Sequence, residues 1–369
     1  RPSMDIICSR KDLFEGVQTA GRAVSSRSSL PILSHLHIRT EGDKIRLAGT
    51  DLEIGVECSV PANVQTEGAL TAPAKILTEF LSTLPDGDIA LSVDGSNRVS
   101  LKSGTSDYQI LGLPPEDFPM LPEVAGETSF TIEQPVMRTA IERTIFAVSQ
   151  DESRASLTGI LLRLEDDELQ LVSTDTHRLC AVECSVSESQ GQTRSIIPGR
   201  AMAELHRIIQ SEDGTVTVSV SPSQVLFQVN GTVLVSRLIE GQFPNYEKVI
   251  PQEFTKRIIV PTDQLQSSVR RASIVARDNA NRVLLKTQDG KLIVTAESSS
   301  VGTAYEEVDV MIEGEDIEMA FSAKYLLEFL GVVGSEAIEM QLTGNLNPAL
   351  MRPQDDENYR YVLMPMQIR

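Results

Sequence analysis

The chain has 369 residues, too many for one ordinary core, so two or three domains are expected. Its 41% hydrophobic and 23% charged content fits a folded protein and excludes a disordered tail-like chain, while a formal net charge of −19 argues at first sight against a nucleic-acid partner. No apolar run reaches the ~18 residues of a membrane span. Residues 1–3 read as an addition ahead of Met4, and "MDIICSRKDLFEG" carries no basic-then-apolar leader, so a cytoplasmic protein is expected.

In chain order, the first predicted element is a helix over 10–27, with Leu13, Val17, Ala20 and Val24 at helical spacing. A hairpin follows, "LSHLHIRTEGDKIRLAGTD". In it His35 and His37 alternate and are expected on a polar strand face, not in a metal site. A short helix over 75–84 (Ile76, Phe80, Leu81, Leu84) precedes the strand "IALSV", and "YQILGLPPEDFP" closes the segment. The next helix, 134–149, shows Val136, Ala140, Ile141, Ile145 and Val148, followed by the hairpin "LTGILLRLEDDELQLVSTD". A helix over 199–210 (Met202, Leu205, Ile208, Ile209), the strand "VTVSV" and the closing "VLVSRLIEGQFP" complete it. The last series runs through a helix at 263–282 (Leu265, Val269, Ala272, Ala276) and the hairpin "VLLKTQDGKLIVTAES". It ends with a helix at 324–333 (Leu326, Leu327, Leu330, Val333), "IEMQL" and "YVLMPMQIR".

These series are the same series three times. Lys75, Arg200 and Lys324 lie 125 and 124 residues apart, Thr50-Asp51 and Thr174-Asp175 lie 124 apart, and the first two closing segments lie 125 apart. Agreement across helix, turn, strand and closing segment predicts three tandem α+β units of about 120 residues, each with two helices and roughly eight strands. Cys8, Cys58, Cys180 and Cys184 lack zinc spacing and are expected as free thiols.

Charge is unevenly divided. The six predicted helical spans carry +6 and the remainder −25. Glu forms helices as well as Lys and Arg do, so propensity alone does not produce this split. A basic helical face on an acidic body suggests a surface that meets phosphate.

Three tandem units of two helices, "LPIL" after the first helix, "STDTHRL" in the second unit and "YVLMPM" near the end together resemble the bacterial β sliding clamp family, the processivity subunit of DNA polymerase III. The resemblance covers residues 4–369. It implies a DNA-clamp fold with domains at 4–124, 125–251 and 252–369, two chains forming a ring of six similar domains, helices lining the inside and antiparallel sheets outside. A lining that is positive but weakly and non-specifically bound to phosphate suits a ring that slides. Matching family positions are Arg27, Gln150 and Arg200 for DNA contact, and Tyr108, Ile110, Ile274 and Val275 for the dimer interface.

The same resemblance implies a peptide-binding pocket serving the polymerase subunits, the clamp loader, and other polymerases and repair proteins. Its matching positions are Leu157, Thr174, Thr176, His177, Arg178, Leu179, Pro244, Lys248 and Val249, with Ser322, Tyr325, Leu346, Pro348, Met364, Pro365, Met366 and Gln367. Two residues depart from the family pattern: Thr176 where Gly is common, and Gln367 where a basic residue is common. Met364 and Met366 suit a pocket that repacks around many peptides, and Pro365 restrains the backbone between them.

An enzyme is the competing class, because "STDTHRL" offers Thr, Asp and His together. Catalytic sets usually gather residues distant in sequence, and no phosphate loop, nucleophile elbow or paired metal ligand accompanies this motif. No catalysis, cofactor or metal is therefore expected. A three-domain peptide-binding scaffold that does not encircle DNA is the other alternative.

Overall fold

In a computed structural model the described residues are 1–25, 27 and 29–369. Ser26, within the predicted first helix, and Ser28, in "SSLPIL", lie outside them. Among the described residues each repeat contributes two α-helices and nine strands. The strand beyond the expected eight is short: Asn63–Thr66, Ser187–Gln190 and Met311–Glu313 each lie at an edge of a sheet.

The helices are α1 (Arg10–Gly21), α2 (Ala74–Thr83), α3 (Gln134–Glu142), α4 (Gly199–Ile208), α5 (Thr262–Ala276) and α6 (Ala323–Leu330). Ser9 caps α1 by accepting from the Asp12 N–H, and Ser322 caps α6 by accepting from the Tyr325 N–H. α3 stops earlier than its apolar period suggests. The Thr144 hydroxyl donates back to the Ala140 carbonyl at 2.8 Å, and the chain tightens into a 3-10 turn at Ile145–Ala147. Two predicted buried positions are corrected. On α2 the inward stripe is Ala74, Leu77 and Leu81, leaving Ile76 exposed; on α3 Met137 is buried and Val136 exposed. Each error is a shift of one residue, about 100° around a helix.

The predicted hairpins pair His35–Glu41 with Lys44–Thr50, Gly159–Glu165 with Glu168–Thr174, and Arg282–Gln288 with Lys291–Ser298. Their tight turns require positive φ, found at Gly42, Asp166 and Asp289-Gly290. His35 and His37 are not on a polar face. Both are buried: His35 Nδ1 meets Thr71 Oγ1 at 3.2 Å, and His37 packs on the Phe118 ring at 5.2 Å. The segment from Leu113 to Phe118 covers this side of the strand, which alternation within one hairpin does not reveal.

The chain packs into two compact units, and the second repeat contributes to both. In one unit, its strands Thr128–Glu133, Ser187–Gln190, Thr215–Val220, Gln224–Val229 and Thr232–Arg237 extend a nine-stranded sheet completed by four strands of the first repeat. The other unit holds an equivalent nine-stranded sheet. There Gly159–Glu165, Glu168–Thr174, Arg178–Ser185 and Thr193–Pro198 continue into strands of the third repeat. The joins are strand pairs: Ile54–Pro61 with Thr232–Arg237, and Arg178–Ser185 with Tyr359–Leu363.

The repeat is exact enough to reuse atomic positions. A Cβ on Gly49 would meet the Ala20 carbonyl oxygen at 2.3 Å, so glycine allows strand and helix to touch there. At the matching place, 124 residues on, Ser173 donates its hydroxyl to the Thr144 carbonyl at 2.5 Å. One close approach is thus met in two ways.

Cys8, Cys58 and Cys180 are buried and Cys184 half-buried, all free. Burial pushes the first three thiols up to about 12 and Cys184 to about 11, which keeps them protonated and unreactive near neutrality. Among the described residues no His, Cys, Asp or Glu cluster could hold a metal. No helix of the described residues is long and apolar enough to cross a membrane.

Candidate functional site

"STDTHRL" forms the turn between Glu168–Thr174 and Arg178–Ser185. Thr174 Oγ1 donates to the Arg178 carbonyl at 2.6 Å and accepts from the Thr176 N–H at 3.2 Å. Asp175 Oδ1 accepts from the N–H groups of His177 and Arg178 at 3.0 and 3.1 Å. The motif's Thr and Asp are consumed in folding the turn. Asp175 orients backbone amides and the Arg178 guanidinium rather than the imidazole. The bend forces φ +79° on Thr176. In the first repeat, Thr50 Oγ1 meets Leu52 N and Ile54 O, Asp51 Oδ1 accepts from Glu53 and Ile54, and Leu52 has φ +76°.

The tail of the third repeat lies against this turn. Met364 N–H donates to the His177 carbonyl at 3.0 Å and Met366 N–H to the Ala320 carbonyl at 2.7 Å. The second repeat's closing segment makes the same pair of bonds, Arg237 to Glu53 and Ile239 to Ile196. An apolar tail is therefore tied down by backbone bonds, which leaves the half-exposed Met364 side chain available.

Beneath the turn, Leu179 packs in a buried apolar group with Tyr246, Ile250, Leu350 and Val362. This sets the chain that carries Pro244, Lys248 and Val249 alongside Leu179; those three are exposed while Tyr246 and Ile250 are buried. Leu157 is buried in the 3-10 turn Ala155–Leu157, its carbonyl accepting from the Ser149 N–H. On the third-repeat side, Tyr325 stacks on His177 at 6.2 Å between ring centroids. Burial first, and then the Asp175 carboxylate, pushes the Tyr325 hydroxyl above the ordinary phenol range. Ser322 is the α6 cap, Leu346 is exposed and Pro348 half-buried, and Pro365 and Gln367 flank Met366 on the tail. Arg178 lies under Tyr325 with its side chain only 5% exposed. Sequence reasoning missed Glu328, Phe146 and Tyr361, which hold Arg178 and Tyr325 in place. Glu328 and Phe146 are half-buried and off the inward faces of their elements, and their partners lie far along the chain, so no local pattern marks them.

The equivalent place in the first repeat is built differently. Ile54 stands where Arg178 stands, and Glu53 and Arg237 form an ion pair at 3.5 Å where the other site has His177 and Met364.

Arg27, Gln150 and Arg200 are all exposed. Of the basic residues in the predicted helical spans, Arg10, Arg143, Arg207 and Arg271 are ion-paired with Asp86, Asp356, Glu204 and Glu306. Lys11, Arg22, Arg27, Lys75, Arg270, Arg277 and Lys324 are exposed and outside any ion pair among the described residues. At the expected seam, Ile274 is 59% exposed on α5 and Tyr108 stacks on Phe80 at 4.1 Å. Ile110 and Val275 are buried within the chain.

Comparison with known proteins places the whole chain. The N-terminal, central and C-terminal domain families of the DNA polymerase III beta subunit match residues 4–122, 131–245 and 247–367. The chain belongs to the bacterial β sliding clamp family. A beta sliding clamp of Synechocystis sp. is 32% identical over 99% of this chain and 100% of its own. The DNA polymerase sliding clamp of Bacillus subtilis superposes with a TM-score of 0.96 at 28% identity, covering 100% of both chains. The sliding clamp of Bartonella birtlesii, in a crystal structure bound to griselimycin, gives 0.94 at 32% identity, with 99% and 100% covered. The fold is the three-domain clamp fold, helices with antiparallel sheets, and the family is a non-enzymatic DNA sliding clamp that serves DNA polymerase III.

Proposed function

We propose that two copies of this chain close head to tail into a ring around duplex DNA and tether the polymerase to it. The observation that carries this is a pattern of strand pairing used twice and left open once. The last strand of the second repeat pairs with Ile54–Pro61 of the first, and that of the third with Arg178–Ser185 of the second. The remaining strands of this series, Ser106–Leu111 and Gly302–Asp309, are each at the edge of their sheet with one side unpaired. A second copy supplies the missing partner, which also supports the assignment of Tyr108, Ile110, Ile274 and Val275 to the seam. Domains run over 4–124, 125–251 and 252–369, with the second domain's strands shared between neighbouring sheets.

The unpaired helical cations, with Arg27, Gln150 and Arg200, form the phosphate-facing lining. Few and exposed, they bind without sequence preference and permit sliding. The site around His177, Tyr325, Met364 and Met366 receives short peptides of polymerase III subunits, the clamp loader, other polymerases and repair proteins. Burying ~300 Å² of apolar surface at ~25 cal/mol/Å² contributes about 7 kcal/mol before ordering costs, so affinities are micromolar and partners exchange. The chain works in the cytoplasm.

A topology experiment tests the ring. Loaded on circular duplex DNA, the protein is expected to stay until the circle is cut and then leave by the ends. Equal retention on linear and circular DNA would instead fit the scaffold that never encircles DNA.

A further inference from the structure

Arg178 belongs by position to the docking site, yet all three of its guanidinium nitrogens already hold protein acceptors. Its Nε donates to Asp175 Oδ2 at 3.1 Å, Nη1 to Glu328 Oε1 at 3.0 Å and Nη2 to the Phe146 carbonyl at 2.8 Å. The guanidinium lies 4.1 Å from the centroid of the Tyr325 ring and 5.3 Å from that of Phe146. Both rings pack near it, and its side chain is 5% exposed.

Glu328 and Tyr325 stand three residues apart on α6, hence on one face of that helix. Glu328 draws the guanidinium toward that face, and the guanidinium in turn supports the Tyr325 ring from below. The Tyr325 backbone is fixed as well: Ser322 Oγ accepts its N–H at 3.3 Å and the Tyr361 hydroxyl donates to its carbonyl at 2.9 Å. With the backbone held, the remaining freedom of Tyr325 is rotation of its side chain. Arg178, 4.1 Å from the ring centroid, and His177, 6.2 Å away by ring centroids, restrict it.

We propose that Glu328 is a positioning residue for the docking site: acting through Arg178, it holds the Tyr325 ring parallel to His177 so that an incoming apolar peptide meets a preformed wall. This rests on the docking reading given above. The reason it matters energetically is preorganisation, because a ring already in place adds no ordering cost when the ligand arrives. Without Glu328 one donor of a buried guanidinium loses its acceptor, the guanidinium shifts toward Asp175, and the ring loses its platform.

Griselimycin is the probe, and the full-length protein is used throughout. Glu328→Ala is expected to weaken griselimycin binding by ~10-fold, while Glu328→Gln, which keeps an acceptor oxygen of the same reach, stays within about threefold of the parent. The second readout is fluorine NMR of protein labelled with 3-fluorotyrosine, with the Tyr325 signal assigned by Tyr325→Phe. That signal is expected to move in ligand-free Glu328→Ala and to return in Glu328→Gln, with the melting temperature little changed. Parent-like affinity together with an unmoved Tyr325 signal in Glu328→Ala overturns the proposal and leaves the docking site standing. Equal losses in both variants, tracking a fall in melting temperature, also overturn it, because they report general destabilisation. Absence of binding by the parent protein overturns the docking reading and this inference with it.

Discussion

The N–H of Met366 reaches the carbonyl of Ala320 at 2.7 Å, and the N–H of Ile239 reaches that of Ile196 at 2.9 Å, in segments of quite different sequence. The tail is thus held by the same backbone device that routes the chain from the second repeat into the third. Met366→Pro removes the donor and is expected to cost about 1 kcal/mol of stability. Hydrogen exchange at the amides of Glu318–Ser322 should rise with it; unchanged exchange and an unchanged unfolding midpoint would show that the bond does not hold the tail.

Thr176 carries a β-branched side chain at φ +79°, a conformation that glycine adopts freely and other residues resist. Thr176→Gly is expected to be more stable than Thr176→Ala by about 1 kcal/mol, because alanine keeps the strain and glycine relieves it. Urea denaturation of the two variants measures the difference, and an Ala variant at least as stable as the Gly variant would contradict it.

Ile274 is exposed on α5 next to an open sheet edge, Gly302–Asp309, to which α5 also packs. Ile274→Asp is expected to convert the dimer to monomer in sedimentation experiments while the unfolding midpoint of the monomer stays near that of the parent chain. A variant that sediments as the parent does would remove Ile274 from the seam.

Burial holds the imidazoles of His35 and His37 below their usual pKa, with Arg39 adding to the effect at His37. The unfolded chain therefore takes up these protons first as pH falls below about 6.5. The associated stability is complete above that pH and is lost on acidification, with a slope of at most about 1.4 kcal/mol per pH unit for each group. Replacing both with Gln should flatten the dependence of the urea midpoint between pH 7 and pH 5; an unaltered slope would assign it to other groups.

Much of this was readable beforehand for a plain reason. The six helices and three hairpins are local, and their apolar periods and turn residues lie within about twenty residues of one another. The turn at 174–178 was not read as one, although its bonds are local: Thr174 and Asp175 make them within four residues, and strand alternation was assumed instead. The buried environment of His35 and His37 was not readable, because Thr71 and Phe118 reach them from far along the chain. Nor were the partners of Arg178: besides the neighbouring Asp175, Glu328, 150 residues away, pairs with it.

Composition, spacing and threefold duplication determined by themselves that the protein is built from three like α+β units, where the three hairpins fall, and that the tail is apolar. Tertiary structure alone decided how those units share strands, so that the second repeat completes two different sheets. It also decided what surrounds each of two similar turns, an ion pair at one and the Tyr325 ring and Met364 at the other. The physical reason is that hydrogen-bond registers and turn geometry are encoded over a few residues, while burial and charge pairing depend on side chains that meet only when distant segments pack.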